Sequence, residues 1–409
     1  MRRRDISSDV ARLRLNHRLN KAVAALPVPP ATPAVVIDLD AFDANADDLR
    51  RRAGGTPVRV ASKSLRVPAL ISRALSRPGF AGVLSYSLRE ALWLHEQNVC
   101  NDIVMGYPSV DRYALEALVG DPHATRVITL MIDDVAHLDL VDSVRSGTST
   151  VVRIAIDIDA GLRLGRSHVG PKRSPLYDAG QVLAVAQEVI SRSGFELVGV
   201  MTYEGQVAGV PDDVPGARAR SLVVRRMKSL SIQQLGQRRL EVAEALRDLV
   251  ELKFWNAGGS GSIESSAADP QVTEVSAGSG LLAPHLFDNY RGFETLPAAF
   301  FGLPVARRPA PETVTVSGGG LIASGPTGVD RSPLPWAPPG LHLTSLEGAG
   351  EVQTPLVGAA ASSLRIGDLV WFRHAKSGEV AEHSNEVHLL AGSAVVESVS
   401  TYRGRGNAW

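Results

Sequence analysis

Several things are scarce in this sequence, and each scarcity excludes a class of protein. Of 409 residues only one, Cys100, is a cysteine, so no disulfide can form within the chain. That fits a reducing compartment, and Cys100 itself reads as a small buried hydrophobe. No apolar run reaches the ~18 residues that a membrane span requires. The basic start, Met1 to Arg4, is not followed by an apolar core, so no signal peptide is expected there. Net charge is also lacking: 43 Lys and Arg balance 43 Asp and Glu. Neither nucleic acid nor an anionic membrane is an expected partner. The expectation is a cytoplasmic protein.

What is present suits a large folded chain. Apolar residues make up 44% and charged residues 21%, near the globular average. Residues 8–24 read as a mostly polar helix with a weak apolar stripe, and the proline-rich stretch from Pro27 to Pro33 reads as a linker. Then short β-branched runs alternate with amphipathic stretches. The runs are 34–39, 58–63, 82–87, 102–107, 126–133, 151–159, 196–203, 253–259 and 272–280, and the helical stretches include 65–75, 88–97, 114–118, 135–144, 177–191 and 217–249. Such alternation implies a parallel sheet with covering helices. Nine runs are one too many for an eight-stranded barrel. With the first assigned elsewhere, eight remain over a length close to the ~250 residues of a (β/α)8 barrel. An open doubly wound sheet is the competing architecture.

After about residue 295 the pattern changes. Eight of the 25 prolines fall between Pro304 and Pro339, too many for long helices. Short strands are expected at 312–316, 342–346, 368–373, 386–390 and 394–398. The expected organisation is an N-terminal helix and linker (1–32), a (β/α)8 TIM-type barrel (33–295) and a C-terminal mainly-β domain (296–409), in an α/β chain.

In a barrel, chemistry sits at the C-terminal ends of the strands. The first barrel run ends Ala61-Ser62-Lys63-Ser64, which places an amine at the mouth. Partial burial is expected to favour its neutral form, the form that makes an imine; the plain alternative is a lysine reaching into solvent. The run ending at Asp159 continues through Gly161 and Arg163 to Gly165. Arg163 reads as an arginine held by a tight loop, suited to a phenolate, a carboxylate or a phosphate. Tyr203 ends another run and could pack beside a cofactor ring. The last two runs lead into Asn256-Ala257-Gly258-Gly259-Ser260-Gly261-Ser262 and Ser276-Ala277-Gly278-Ser279-Gly280. Gly/Ser loops of this kind leave backbone N–H groups open to an anion, and barrels commonly bind phosphate after strands 7 and 8.

These segments, in this order, resemble the fold-type III pyridoxal-phosphate enzymes, the group containing alanine racemase. The chain looks closest to the D-threonine aldolase and D-serine dehydratase branch and to bacterial amino acid deaminase/aldolase proteins. The resemblance runs from about Pro33 to Tyr402 and includes Val36 to Asp40 with Asn45, Ser62 to Ser64, Asp159 to Gly165, Met201 to Gly205, Gly258 to Ser262 and Glu274 to Ser279. It implies pyridoxal 5′-phosphate as a Schiff base on Lys63, with Arg163, Tyr203 and Asn256 about the cofactor and Gly258, Gly259, Ser260, Ser262, Gly278 and Ser279 near its phosphate. It also implies that run 34–39 joins the β-domain, and that the protein is a homodimer whose sites lie between the barrel of one subunit and the β-domain of another.

The sequence departs from that branch in two places. Where relatives carry a metal-binding His-x-Cys or His-x-Asp pair, this chain has His374-Ala375-Lys376; where they have Glu-His-Gly, it has Glu347-Gly348-Ala349. A lysine ammonium has no lone pair to give a metal, and neither His383 nor His388 has the right spacing. No divalent metal site is expected. Lys376 would instead place a cation there, polarising a β-hydroxyl or binding a carboxylate, with His374 as proton acceptor. Lys376→Ala should then abolish turnover while cofactor binding survives. The leading expectation is a lyase that cleaves, or dehydrates and deaminates, a β-hydroxy-α-amino acid of D configuration. Racemisation, a non-catalytic role in pyridoxal-phosphate homeostasis, and a phosphate-binding barrel without pyridoxal are the alternatives.

Overall fold

The structure is a computed structural model that describes residues 8–145, 150–292, 295–326 and 328–409; the basic start at Met1–Arg4 lies outside them. The described strands are β1 (Ala34–Asp38), β2 (Val58–Ala61), β3 (Phe80–Ser85), β4 (Ile103–Pro108), β5 (Ile128–Ile132), β6 (Val152–Asp157), β7 (Leu162–Leu164), β8 (Ser167–Val169), β9 (Phe195–Thr202), β10 (Phe254–Ala257), β11 (Glu274–Ala277), β12 (Ala299–Ala310), β13 (Thr313–Ser317), β14 (Leu334–Ala337), β15 (His342–Leu343), β16 (Gln353–Val357), β17 (Leu369–Arg373), β18 (Glu386–Ala391) and β19 (Ala394–Ser400). The chain forms two compact units, one of Leu49–Lys63 with Ile71–Gly278 and Trp409, the other of Met1–Asp48 with Ser64–Leu70 and Ser279–Ala408.

The first unit holds a closed barrel in the order β2-β3-β4-β5-β6-β9-β10-β11, and β11 pairs back onto β2 in parallel, Val275 opposite Val58. The barrel, rather than the open sheet, is the architecture. Its strands read as continuous apolar runs because both faces are covered; every residue of β5 is buried. The helices between them start where a side chain caps the free N–H groups. Ser87 accepts from Glu90 N, Asp134 from Ala136 N, and Asp178 forms a capping box with Gln181. The interior holds a polar plug. Arg59 donates to Glu274 at 2.7–2.8 Å and to Asp102 at 2.9 Å. A guanidinium shared by two carboxylates satisfies groups that burial would otherwise penalise.

Several expected boundaries move. β2 stops at Ala61, and Ser62–Ser64 form a 3-10 turn. β11 stops at Ala277, and Ser279–Leu282 are helical. The tight loop expected around Arg163 is instead the two-stranded hairpin β7–β8, turning at Gly165 with φ +57°. Cys100 is half-buried rather than buried, and its thiol donates to Asp102 O at 3.1 Å.

The second unit is built on a nine-stranded sheet, with path β15-β16-β13-β12-β1-β18-β19, β17 on β12 and β14 on β17. β1 runs antiparallel to β12 and parallel to β18. The helix Asp9–Ala24 buries Leu19, Ala22 and Val23 in a core with Val36, Phe300, Trp336, Trp371 and Leu390. The 12-residue strand β12 was not expected, because it contains Pro304 and Pro309. Its first half, Ala299 to Leu303, is buried and apolar; near the prolines its pairing with β13 shifts register twice. Irregular pairing of this kind tolerates a residue without an N–H. The strand expected at 342–346 is only His342–Leu343, and Leu346 is fully exposed.

Candidate active site

Strand order sets the geometry. Around the barrel β10, β11 and β2 are consecutive neighbours, so the segment after Asn256, the segment after Ser276 and Lys63 leave the same rim side by side. At the end of β2, Ser62 is fully buried and its hydroxyl donates to Leu84 O of β3 at 3.1 Å. This pins the 3-10 turn and directs Lys63 outward. Lys63 is exposed, not partly buried as expected, and its Nζ stands 6.0 Å from the ring centroid of Tyr107 at the end of β4.

The first Gly/Ser loop is tied down from beneath. Gly258 has φ +83°, a conformation that favours glycine. Glu204, 2% exposed, accepts from Ser262 Oγ at 2.7 Å, from Ser266 Oγ and from Gly258 N at 3.4 Å. Arg239 donates to Glu204 at 3.2 Å, to Asp269 at 3.1 Å and to Thr202 Oγ1 at 2.9 Å. Arg52 donates to Ser260 O at 2.8 Å. A Cβ on Gly259 would come 3.0 Å from Ala208 Cβ and 3.4 Å from the Tyr203 ring. Tyr203 thus packs under the loop, and burial, aided by Glu204, pushes its hydroxyl up to about 12. Asn256 turns inward instead. Its amide donates to Glu274 at 2.8 Å and Ser276 at 2.9 Å, and its oxygen accepts from Ser276. Among the described residues Asn256 belongs to the interior plug.

Arg163 is exposed. Its guanidinium lies 3.5 Å from the Tyr177 ring centroid, and its backbone pairs with Gln234. A different arginine shares a ring with Lys63: the Arg173 guanidinium stands 5.6 Å from the Tyr107 centroid and 6.0 Å from that of Tyr203. Asp157, ending β6, lies beside it. Burial pushes this carboxyl up to about 7, with Asp133 adding to the rise and Arg173 opposing it. Tyr107, Asp157, Arg173 and the Glu204–Arg239 pair were not picked out from sequence as site residues, although a polar strand end was an available signal for Tyr107 and Asp157 and Glu204 falls within the matching segment Met201 to Gly205.

In the sheet unit, Ser279 Oγ pairs with Ser64 Oγ at 3.2 Å, and its carbonyl accepts from Ser377 Oγ at 3.2 Å. His374 Nε2 meets Ser377 Oγ at 3.1 Å. His374 is 4% exposed, and burial, with Arg373 and His285 nearby, pushes it down to about 3. It is neutral at physiological pH, and a ring held this way takes up a proton less readily than an exposed histidine. Lys376 Nζ donates to Ser324 O at 3.0 Å and Oγ at 3.1 Å. Among the described residues no three His, Cys, Asp or Glu side chains converge to hold a metal ion, and no helix is long and apolar enough to cross a membrane.

Comparison with known proteins identifies this architecture. Residues 37–284 match the family model "Alanine racemase, N-terminal domain". The chain belongs to the alanine racemase N-terminal-domain family. The resemblance to fold-type III pyridoxal-phosphate enzymes therefore holds. A D-threonine aldolase from an Arthrobacter species is 24% identical over 346 residues, covering 81% of this chain and 82% of the relative. The crystal structure of D-threonine aldolase from Filomicrobium marinum superposes with a TM-score of 0.75 at 19% identity, covering 93% and 96% of the two chains. D-threo-3-hydroxyaspartate dehydratase from a Delftia species gives 0.71 at 20% identity, covering 93% and 98%. Those two likenesses establish the fold: a closed eight-stranded barrel with a mainly-β sheet.

Proposed function

We propose that this protein is a pyridoxal-phosphate-dependent lyase that cleaves or dehydrates a β-hydroxy-α-amino acid of D configuration, with Lys63 as the cofactor lysine. The observation that carries the reading is the order of three consecutive strands at one rim: an exposed lysine after β2, and Gly/Ser segments after β11 and β10. The residues fit the cofactor. Gly258 adopts a backbone that favours glycine, and Gly259 leaves no room for a Cβ without pressing on Ala208 and Tyr203. Backbone N–H groups of the Gly258–Ser262 segment, with Gly278, would hold the phosphate. Tyr203 would face the ring. When bound, pyridoxal phosphate supplies the electron sink that labilises bonds at the amino acid's α-carbon.

The chain's own residues hold and orient. The Glu204–Arg239–Asp269 network fixes the phosphate segment, and Ser62 fixes the turn that aims Lys63. The named relatives support a lyase acting on a β-hydroxy amino acid. The reading includes no divalent metal at His374 and Lys376, since one offers a single ring nitrogen held by Ser377 and the other a cation. It also includes a homodimer. Incubation of the pyridoxal-phosphate-loaded protein with D- and L-threonine and D- and L-serine tests it, with glycine, keto acid and enantiomer measured separately, with and without a chelator. Release of glycine or keto acid from the D-isomers, unchanged by chelator, is the expected result. Turnover confined to L-isomers, interconversion of enantiomers alone, or loss with chelator would each overturn a part of the reading.

A further inference from the structure

Arg173 is a cation at the barrel rim without a committed anion. Among the described residues its guanidinium makes no hydrogen bond or salt bridge; it stands near the rings of Tyr107 and Tyr203 and within electrostatic reach of Asp157. The backbone that carries it is nonetheless fixed. The adjacent Ser174 hydroxyl donates to Asp157 O at 2.8 Å and accepts from Leu176 N at 3.1 Å, while Asp159 N donates to Leu176 O at 2.8 Å. The segment bearing Arg173 is therefore stitched across the end of β6. One of its two tyrosines, Tyr107, is also faced by Lys63.

We propose that Arg173 receives the carboxylate of the amino acid substrate, with Asp157 as the competing anion beside it. The exposed Arg173 guanidinium, 5.6 and 6.0 Å from the two ring centroids, keeps its N–H edge open, and that edge matches a carboxylate in a bidentate pair. The proposal rests on the lyase reading above and adds the group that binds the substrate. Asp157 makes it pH-dependent. The groups facing Asp157 are Asp133, 3.5 Å from His137; Asp159, 2.7 Å from His168; and Arg173 itself. With its carboxyl pushed up to about 7, Asp157 is mostly neutral below that pH and leaves Arg173 to the substrate. Above it, the ionised carboxylate competes, and substrate affinity falls.

The test uses two unreactive probes, D-alanine and D-alaninamide. Both lack the β-hydroxyl, and they differ in the carboxylate. Each is titrated into pyridoxal-phosphate-loaded wild type, R173Q and D157N at pH 6.5 and 8.5, following the cofactor absorbance. Wild type should prefer the acid by about 10-fold or more, the scale of a charged hydrogen-bonding pair. R173Q should bring acid and amide to within about twofold of each other while amide affinity stays put. D157N should lose the extra weakening of D-alanine binding at pH 8.5 that wild type shows; comparison at equal pH cancels the titration of the probe's own amine. An unchanged acid-to-amide ratio in R173Q, or equal loss for both probes, overturns the proposal. So does loss of the cofactor from R173Q alone, which would make Arg173 a phosphate ligand. Absence of bound cofactor from every variant and from wild type is a different failure, that of the lyase reading itself.

Discussion

Glu204 Oε1 accepts the hydroxyl hydrogen of Ser262 at 2.7 Å, so a buried carboxylate anchors the very segment assigned to an anionic phosphate. Arg239 makes this tolerable by neutralising it from the other side, 3.2 Å away. Removing Glu204 leaves Arg239 still paired with Asp269 at 3.1 Å but strands the Ser262 and Ser266 hydroxyls and the Gly258 N–H, at about 1–3 kcal/mol for each unsatisfied group. Glu204→Ala should lower stability on that scale, measured by denaturant unfolding. Glu204→Gln keeps the acceptor and should retain the fold, while weakening pyridoxal-phosphate binding about tenfold, measured by fluorescence titration.

The backbone of the same segment offers a second prediction. Gly258 has φ +83°, and a Cβ there would sit 3.2 Å from Ser266. A left-handed conformation costs a residue with a Cβ about 1–2 kcal/mol. Gly258→Ala should therefore weaken cofactor binding by roughly tenfold or more, whereas the exposed Gly165→Ala, in the β7–β8 turn with nothing within 4 Å of its Cβ, should cost stability alone. Equilibrium dialysis against pyridoxal phosphate separates the two.

Much of this was legible in the sequence, and the reasons are physical. Barrel strands such as β5 announce themselves because burial on both faces demands an unbroken apolar run. Lys63 and the Gly/Ser segments were legible because strand ends are where a rim must lie. β12 was not, because Pro304 and Pro309 argue against a strand unless one knows that its pairing is irregular there. Arg173 was not, since no pattern in Lys172-Arg173-Ser174-Pro175 marks a residue that Ser174 will stitch to Asp157. Asn256 was legible as a strand-end residue, but its hydrogen bonds to Glu274 and Ser276 depend on a neighbouring strand and were not. The charge state of His374 depends on burial by residues far away in sequence, which spacing alone does not reveal.

That buried His374 sets a pH dependence of stability. Its folded-state value is pushed down to about 3 from an ordinary 6.5. Between these limits the unfolded chain binds a proton that the folded chain does not. Stability is therefore highest above pH 6.5 and is lost as pH falls toward 3, by about 1.4 kcal/mol per pH unit from this one residue. His374→Asn, which preserves a donor for Ser377, should lose less stability than wild type between pH 7 and pH 5. Thermal unfolding at the two pH values checks this; identical losses in both proteins would show that His374 is not held neutral.

The most direct test of the whole account is covalent mapping of the cofactor lysine. The protein is loaded with pyridoxal phosphate, reduced with borohydride and digested, and the modified peptide is sequenced by mass spectrometry, with Lys63→Ala as control. A pyridoxyl group is expected on Lys63 and none in the variant. A label on any other lysine, or equal labelling of the variant, would contradict it.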